Sequence, residues 1–420
     1  MVIKMDYPYL TSDIPGIGGV IKTEPEDFIV EEIPLYQPSG AGEHIYAFIE
    51  KRNLNTQEMI TRLSQHLGIK ARDIGVAGNK DRRGITRQMV SLWRADPARV
   101  ENLNVPQLRV LWVKRHKNKL HRGHLAGNRF EIRIRQINPD AAKIVPQVLE
   151  KLNKIGVPNY FGIQRFGIHN DNAAAGKALL LQQWEDFFHI VLGNPGSSQI
   201  QSGQTGEQRA GDNHAAILRA RQLFEEGKLA EAVELWPPDY SFPKSLLRRL
   251  IEFKGGYHNT IATMPAAMKN FYLNAYQSHL FNETLRLRMP AINEVWVGDL
   301  AYLHRNGAVF KVEQAETEQT RVDSLEISPS GPIWGSTMIT PEGKEWELEE
   351  KVVSEEGFTV EELRARFKTA GLKGERRPFR IFLTDVDYEF VEDSLLLRFT
   401  LPRGVYATIV LRELMKTDNL

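Results

Sequence analysis

GNKDRRGITRQMVSL, residues 78–92, sets the reading of this chain. It opens as a turn. Gly78, Asn79, Asp81 and Gly84 suit tight backbone, and the short apolar piece Ile74-Gly75-Val76 before them reads as a strand running into a loop. Inside that loop Asp81 stands between Lys80 and Arg82, with Arg83 next and Arg87 beyond. Nearby cations favour the ionised carboxylate, and the same cations attract a phosphate backbone. A carboxylate held ionised in a basic loop can attack an electron-poor carbon or take a proton from one. The pattern equally describes a surface loop in which Asp81 pairs with a neighbouring arginine or caps a turn, because structural ion pairs perturb carboxylates as well.

The charge around this loop is uneven. The chain has 420 residues and a net charge of +1, yet residues 70–135 hold 17 Lys and Arg against 5 Asp and Glu, a local net of +12. Residues 342–362 run the other way, with 9 Glu against 2 Lys. A basic segment in a neutral chain points to a polyanionic partner for one region, or to a surface balanced by acidic neighbours in the fold. The absence of cysteine removes disulfides, thiolate nucleophiles and cysteine-ligated metal centres, and fits a reducing, cytoplasmic setting. No apolar run has the length of a signal peptide or a membrane helix, so a soluble protein with no membrane partner is expected.

Most familiar catalytic signatures are missing. Residues 75–81, GVAGNKD, lack the spacing of a phosphate loop, and Asp81 occupies the place of its magnesium-binding hydroxyl. Gly16-Ile17-Gly18-Gly19 lacks the third glycine and preceding strand of a dinucleotide site. No G-x-S-x-G occurs. His116, His121 and His124 cluster among Lys114, Arg115, Lys117, Lys119 and Arg122, where positive charge disfavours a metal, so they read as basic surface.

Outward from the loop, periodicity predicts strands at 28–30 and 45–49 and a helix over 56–67. That helix is capped by Asn55 with Glu58 and stopped by Gly68. Phe130, Ile132 and Ile134 alternate with charged residues, a half-buried strand. Ile144, Val145, Val148, Leu149 and Leu152 mark a helix before the character changes near Ile155. Helices are then expected over 172–184, 215–226, 244–253 and 265–287, with a mobile Gly/Ser/Gln-rich loop over 194–213. Thr359 and Glu362 open one more helix. The tail returns to strands at 380–384, 388–391 and 395–401, and Val405–Met415 closes the chain. Strands at both ends and helices between them suggest a discontinuous domain, 1–157 with 375–420, carrying an insertion at 158–374.

GNKDRRGITRQ resembles the signature of the TruD family of tRNA pseudouridine synthases. Further stretches resemble that family's blocks, in its order: KTEPEDFIVEE (22–32), GNRF (127–130), GVPNYFGIQRFG (156–167), NAYQS (274–278) with Phe281-Asn282, and LPRGVYAT (401–408). The resemblance implies an α/β (α+β) fold. Its catalytic domain is built on a curved mixed, largely antiparallel sheet, and an inserted α/β TruD-specific domain follows. It implies a tRNA pseudouridine synthase, an isomerase acting most typically on uridine 13, with tRNA as partner and other structured RNAs as further substrates. No cofactor, metal or obligate protein partner is implied, and a monomer is expected. By the same resemblance Asp81 is the catalytic aspartate and Lys22 the basic residue that accompanies it. Phe130 is the aromatic that stacks on the target base and Asn128 the brace of the aspartate loop, though Phe130 also suits a strand core. Arg82, Arg83 and Arg87, with Lys117 and Arg122 of the stretch 114–122, form the expected phosphate track. The rival readings are a non-catalytic RNA-binding or RNA-folding protein on the same scaffold, and a different RNA-modifying enzyme such as a methyltransferase. Retention of Asp81, Lys22 and Phe130 argues against the first, and the lack of a Gly-rich cofactor loop against the second.

Overall fold

The computed structural model describes residues 7–167, 170–194, 209–237 and 240–417. The chain divides into two compact units: Thr11–Val157 with the stretch from Ile381 onward, and Pro158–Arg380 with residues 7–10. The second boundary falls after Arg380 rather than at 375. Glu375–Pro378 pairs antiparallel with Ile327–Ile333, and the buried Arg376 of that strand reaches Glu349 at 2.7 Å.

The first unit is built on one eight-stranded sheet. Its strands are β1 (Phe28–Pro34), β2 (His44–Arg52), β3 (Ile74–Val76), β4 (Ile85–Trp93), β5 (Leu108–His116), β6 (Leu125–Ile134), β7 (Thr384–Val391) and β8 (Ser394–Pro402). Their order is β7-β8-β6-β1-β4-β2-β5, with β3 also paired to β4. Every pairing is antiparallel except β1 with β4, so the sheet is mixed and largely antiparallel, as expected. Alternation along β6 buries Phe130, Ile132 and Ile134 and leaves Glu131 and Arg133 half-buried. In β4 both faces are covered, and only Arg87 and Trp93 escape full burial.

Helix α1 (Thr56–Leu67) covers one face of β2 and β4. Asn55 Oδ1 accepts the Glu58 N–H at 2.8 Å while Glu58 returns the bond to the Asn55 N–H at 2.9 Å, so two end donors are satisfied reciprocally. Met59, Leu63 and Leu67 pack on Ile45, Ala47, Ile49, Val90 and Leu92, and the helix ends at Gly68 in the left-handed region. Helices α2 (Ala141–Ile155) and α3 (Ala407–Met415), with a five-residue helix at Pro97–Glu101, complete the unit. Its two chain segments are tied at their far ends. The buried Glu413 carboxylate accepts both the Thr11 N–H at 3.0 Å and the Thr11 hydroxyl at 2.6 Å.

The second unit is largely helical around a core that includes Phe187, Phe188, Tyr276, Trp334 and Phe367, and carries a four-stranded antiparallel sheet. The single helix expected over 172–184 is two, Asn172–Leu181 and Trp184–Leu192. Gln182 turns left-handed (φ 59°), and the N–H groups of Gln182 and Gln183 cap the carbonyls of Leu179 and Ala178. Most of the expected loop over 194–213 lies outside the described residues, and a helix runs from Arg209 to Glu225. Among the described residues no helix is long and apolar enough to cross a membrane.

Gly84 joins the loop after β3 to β4 at φ +110°. Its N–H donates to Asn53 Oδ1 at 3.2 Å and its carbonyl accepts the Asn53 N–H at 3.0 Å. A Cβ here would run into the Phe28 carbonyl of the parallel neighbour β1. Gly84→Ala is therefore expected to destabilise the protein by roughly 3 kcal/mol, from backbone strain and overpacking together. Urea unfolding measures this, and an unchanged midpoint would contradict the stated geometry.

Candidate active site

Every anchor of the 77–84 loop lies in the first unit. The Lys80 backbone N–H donates to Thr56 Oγ1 at 2.9 Å, at the first turn of α1. The Lys80 ammonium is almost fully buried, 2.9 Å from Glu32 and 2.8 Å from Asn128 Oδ1, to which it donates. Glu32 accepts the Met89 N–H at 3.1 Å with its other oxygen. Gln88 reaches the Gly78 carbonyl at 3.4 Å and accepts from Thr56 at 3.3 Å. Lys51, fully buried at the end of β2, donates to the backbone carbonyls of Asp81 (2.8 Å) and Leu54. Buried polar groups are kept only when paired, so this set fixes the loop on the sheet.

The turn so fixed leaves Asp81 exposed, and its carboxylate makes no hydrogen bond or ion pair with the described residues. The structural alternative, in which Asp81 pairs with an adjacent arginine, is therefore not realised. Arg82 lies instead 3.5 Å from Glu58, a solvent-screened pair. Lys22 adopts a left-handed backbone (φ 60°) and places its ammonium 4.5 Å from the Phe28 ring centre. Its segment is set by the two-way pairing of Val20 with Arg135 and by the buried Asp27, 2.8 Å from Arg135. Burial pushes the Lys22 pKa down, the Asp81 charge opposes this, and Arg83 adds to the depression. Lys22 and Asp81 are thus electrostatic neighbours without a direct ion pair.

Register places the remaining residues. Phe399, Phe130, Val30, Thr86 and Lys51 are successive partners across β8, β6, β1, β4 and β2, so their side chains share one face. Leu401, Asn128 and Glu32 form the neighbouring row on that face. Phe130 is a core residue there, 6% exposed, with its ring stacked on Phe399 at 5.3 Å. Arg87 belongs to the opposite face of β4 from Thr86. It pairs in register with Glu31 and Glu50 and lies 3.1 and 2.8 Å from their carboxylates, which raise its pKa. Arg129 extends this ladder to Glu31 at 3.7 Å.

Acidic neighbours therefore engage some of the strand arginines, but none of the cations from the end of β5 through its connection to β6. Lys117 and Arg122 are exposed there, and among the described residues neither they nor Lys114, Arg115 and Lys119 enter an ion pair. This connection is tied to the aspartate loop through the Gly123 N–H, which donates to the Ala77 carbonyl at 2.8 Å. Arg403 holds the Gly123 carbonyl at 3.0 Å. His116 and His124 pack with Tyr36, which hydrogen-bonds His124 Nδ1 at 2.8 Å. Among the described residues no group of three or more His, Asp or Glu is placed to hold a metal.

Sequence reasoning gave no role to Lys51, Glu32 or Thr56. A signal existed for two of them. Lys51 continues the inward series Ile45, Ala47, Ile49, and Glu32 continues Phe28, Val30, so strand alternation alone turns both charges inward.

The chain resembles known proteins along nearly its whole length. The family model described as tRNA pseudouridine synthase D (TruD) matches residues 4–414. A tRNA pseudouridine synthase D of Geobacter sulfurreducens is 43% identical over 414 residues, covering 98% of this chain and 97% of that protein. One from Thermus thermophilus is 34% identical, covering 99% and 93%. The crystal structure of a candidate TruD from Methanosarcina mazei superposes with a TM-score of 0.76 at 26% identity, over 98% of this chain and 96% of that one. Matched nearly end to end by the family model and by relatives of this identity, the chain belongs to the TruD family of tRNA pseudouridine synthases.

Proposed function

We propose that this chain isomerises uridine to pseudouridine in tRNA, at uridine 13, with Asp81 as the catalytic carboxylate. One observation carries the reading: an exposed, unpaired carboxylate stands on a turn that five side chains fasten to the sheet, with Lys22 and Arg83 as charged neighbours. A fixed anion with cations at its flank is suited to a ribose carbon that becomes positive as its bond to the base breaks. In the reaction N1–C1′ breaks, the uracil turns, C5–C1′ forms, the C5 proton leaves to solvent and N1 takes up a proton. Asp81 serves this as a nucleophile at C1′, or as a base that removes the C2′ proton. The target uridine must leave its stack to be reached.

The neighbours divide the remaining work. Lys22 sets a positive charge in the field of Asp81. Asn128 braces the loop by accepting from Lys80. Phe130, on the same sheet face as Asn128, is a floor touched along its exposed edge rather than a free stacking partner. Arg82 and Arg83 meet the phosphates beside the target, and Lys117 and Arg122 those further along. Arg87, engaged by two carboxylates, has no part in this track. The first unit is read as the catalytic domain and the second as the family's inserted domain, in a cytoplasmic monomer that acts on tRNA and on other structured RNAs.

Asp81→Asn is expected to bind unmodified tRNA as wild type does, and to release tritium from C5-labelled uridine roughly 10²–10⁴-fold more slowly or not at all. Substantial release by the variant moves the chemistry elsewhere. Lys117→Ala and Arg122→Ala are each expected to lower the slope of log K against log salt by about 0.7–0.9 per lost phosphate contact. Unchanged slopes would remove the connection from the track. Lys80→Met strands the buried Glu32 charge and is expected to destabilise the protein by about 3–5 kcal/mol. Adding Glu32→Gln should recover part of that loss in urea unfolding, and a fully additive double variant would refute the pairing.

A further inference from the structure

Lys51 is the one member of the loop's scaffold whose charge is neither paired nor exposed. Its side chain is wholly buried, and its two hydrogen bonds go to neutral backbone carbonyls, those of Asp81 and Leu54. No carboxylate lies within ion-pair distance of it among the described residues. The charged groups that act on it are Asp81 and Lys80 of the loop and Glu58 of α1. Across the sheet it faces the uncharged Thr86 of β4 and Leu108 of β5. A buried ammonium without a carboxylate is costly, and a site that keeps one has a use for the charge.

We infer that Lys51 is a positioning residue for the isomerisation, its protonated ammonium holding the Asp81 main chain in place and setting a buried positive charge beside the turn that carries the Asp81 carboxylate. The inference rests on the reading of Asp81 as the catalytic group. The geometry distinguishes Lys51 from Lys22 and Lys80. Lys51 grips the backbone of Asp81 itself, Lys22 meets only its field, and Lys80 is committed to Glu32. Protonated, Lys51 has three N–H donors for its two carbonyls. Neutral, it keeps a donor for each carbonyl but loses the charge that strengthens both bonds.

The consequence is a pH limit. Burial, opposed by Asp81 and reinforced by Lys80, lowers the Lys51 pKa to about 8. The charged form is therefore complete at lower pH and lost as pH rises through that value. Turnover should fall on the alkaline side with a midpoint near 8, while an arginine at 51 stays charged throughout.

The test measures kcat and KM for tritium release between pH 6 and 9.5 with wild type, Lys51→Arg and Lys51→Met, alongside tRNA binding and thermal melting of each. Wild type is expected to lose kcat through the alkaline midpoint with KM little changed. Lys51→Met is expected to bind tRNA normally, to turn over roughly 100-fold more slowly, as a misplaced reacting group does, and to lack the alkaline limb. Lys51→Arg should recover part of kcat and carry no limb near 8. If wild type shows no alkaline fall, or if a folded Lys51→Met or Lys51→Arg keeps the wild-type midpoint, the inference is wrong. Asp81→Asn separates the two failures. An active Asp81→Asn overturns the catalytic reading itself, whereas an inactive one with Lys51 profiles like wild type overturns the role of Lys51 alone.

Discussion

A lysine and a glutamate, Lys80 and Glu32, meet 2.9 Å apart where neither reaches water, and Asn128 completes the contact from the next strand. Such a pair is poor at adding net stability, because desolvation offsets much of its attraction. What it does supply is place. Beyond the buried Ala77 at its start, a loop of Gly, Asn and charged residues has no apolar side chain with which to hold itself to the sheet, and left alone it would sample many shapes. The buried pair, the Thr56 and Gln88 bonds and the Lys51 grip remove that freedom at points on either side of Asp81. The side chain between them is then free to face solvent without being mobile in position.

The sheet beneath explains why the pinning works. Its one parallel pair, β1 with β4, brings Glu32 beside the strand that leaves the loop, while β6 brings Asn128 from the other side. Three strands distant in sequence thus meet at the loop's base. Gly84 marks the tightest point, since no side chain fits between the loop's exit and the Phe28 carbonyl. Backbone close approach and buried charge act here as one constraint.

Electrostatics follow the same topology. Three strand arginines face acidic partners in register: Arg87 with Glu31 and Glu50, Arg129 with Glu31, and Arg398 with Glu131 at 3.0 Å across β8 and β6, whereas Arg115 and Arg133 face Ile45 and Leu396. From the end of β5 through its connection to β6 the cations face apolar, aromatic or solvent-exposed surroundings and no acidic partner, so positive charge survives there. In the second unit the rule becomes stricter. The buried Arg288 is held at 2.7 Å by Asp299 and at 3.0 Å by Glu345. The buried carboxyls there have raised pKa values, because desolvation outweighs their pairing.

By itself the sequence determined the local elements with strong period or caps. The Asn55–Glu58 helix, the Phe130–Ile132–Ile134 strand and the turn around Asp81 were all legible, since each depends on neighbours in the chain. The family blocks were legible too, because they are strings of residues. Strand β4 was not, for a strand covered on both faces loses the alternation that would reveal it. Nor did sequence show that Arg87 is held between Glu31 and Glu50, or that Phe130 lies against Phe399. Only tertiary structure decided which charges are paired, which are buried and which are left over. Those outcomes depend on strands separated by tens to hundreds of residues being brought within about 5 Å of one another, a distance that no local pattern encodes.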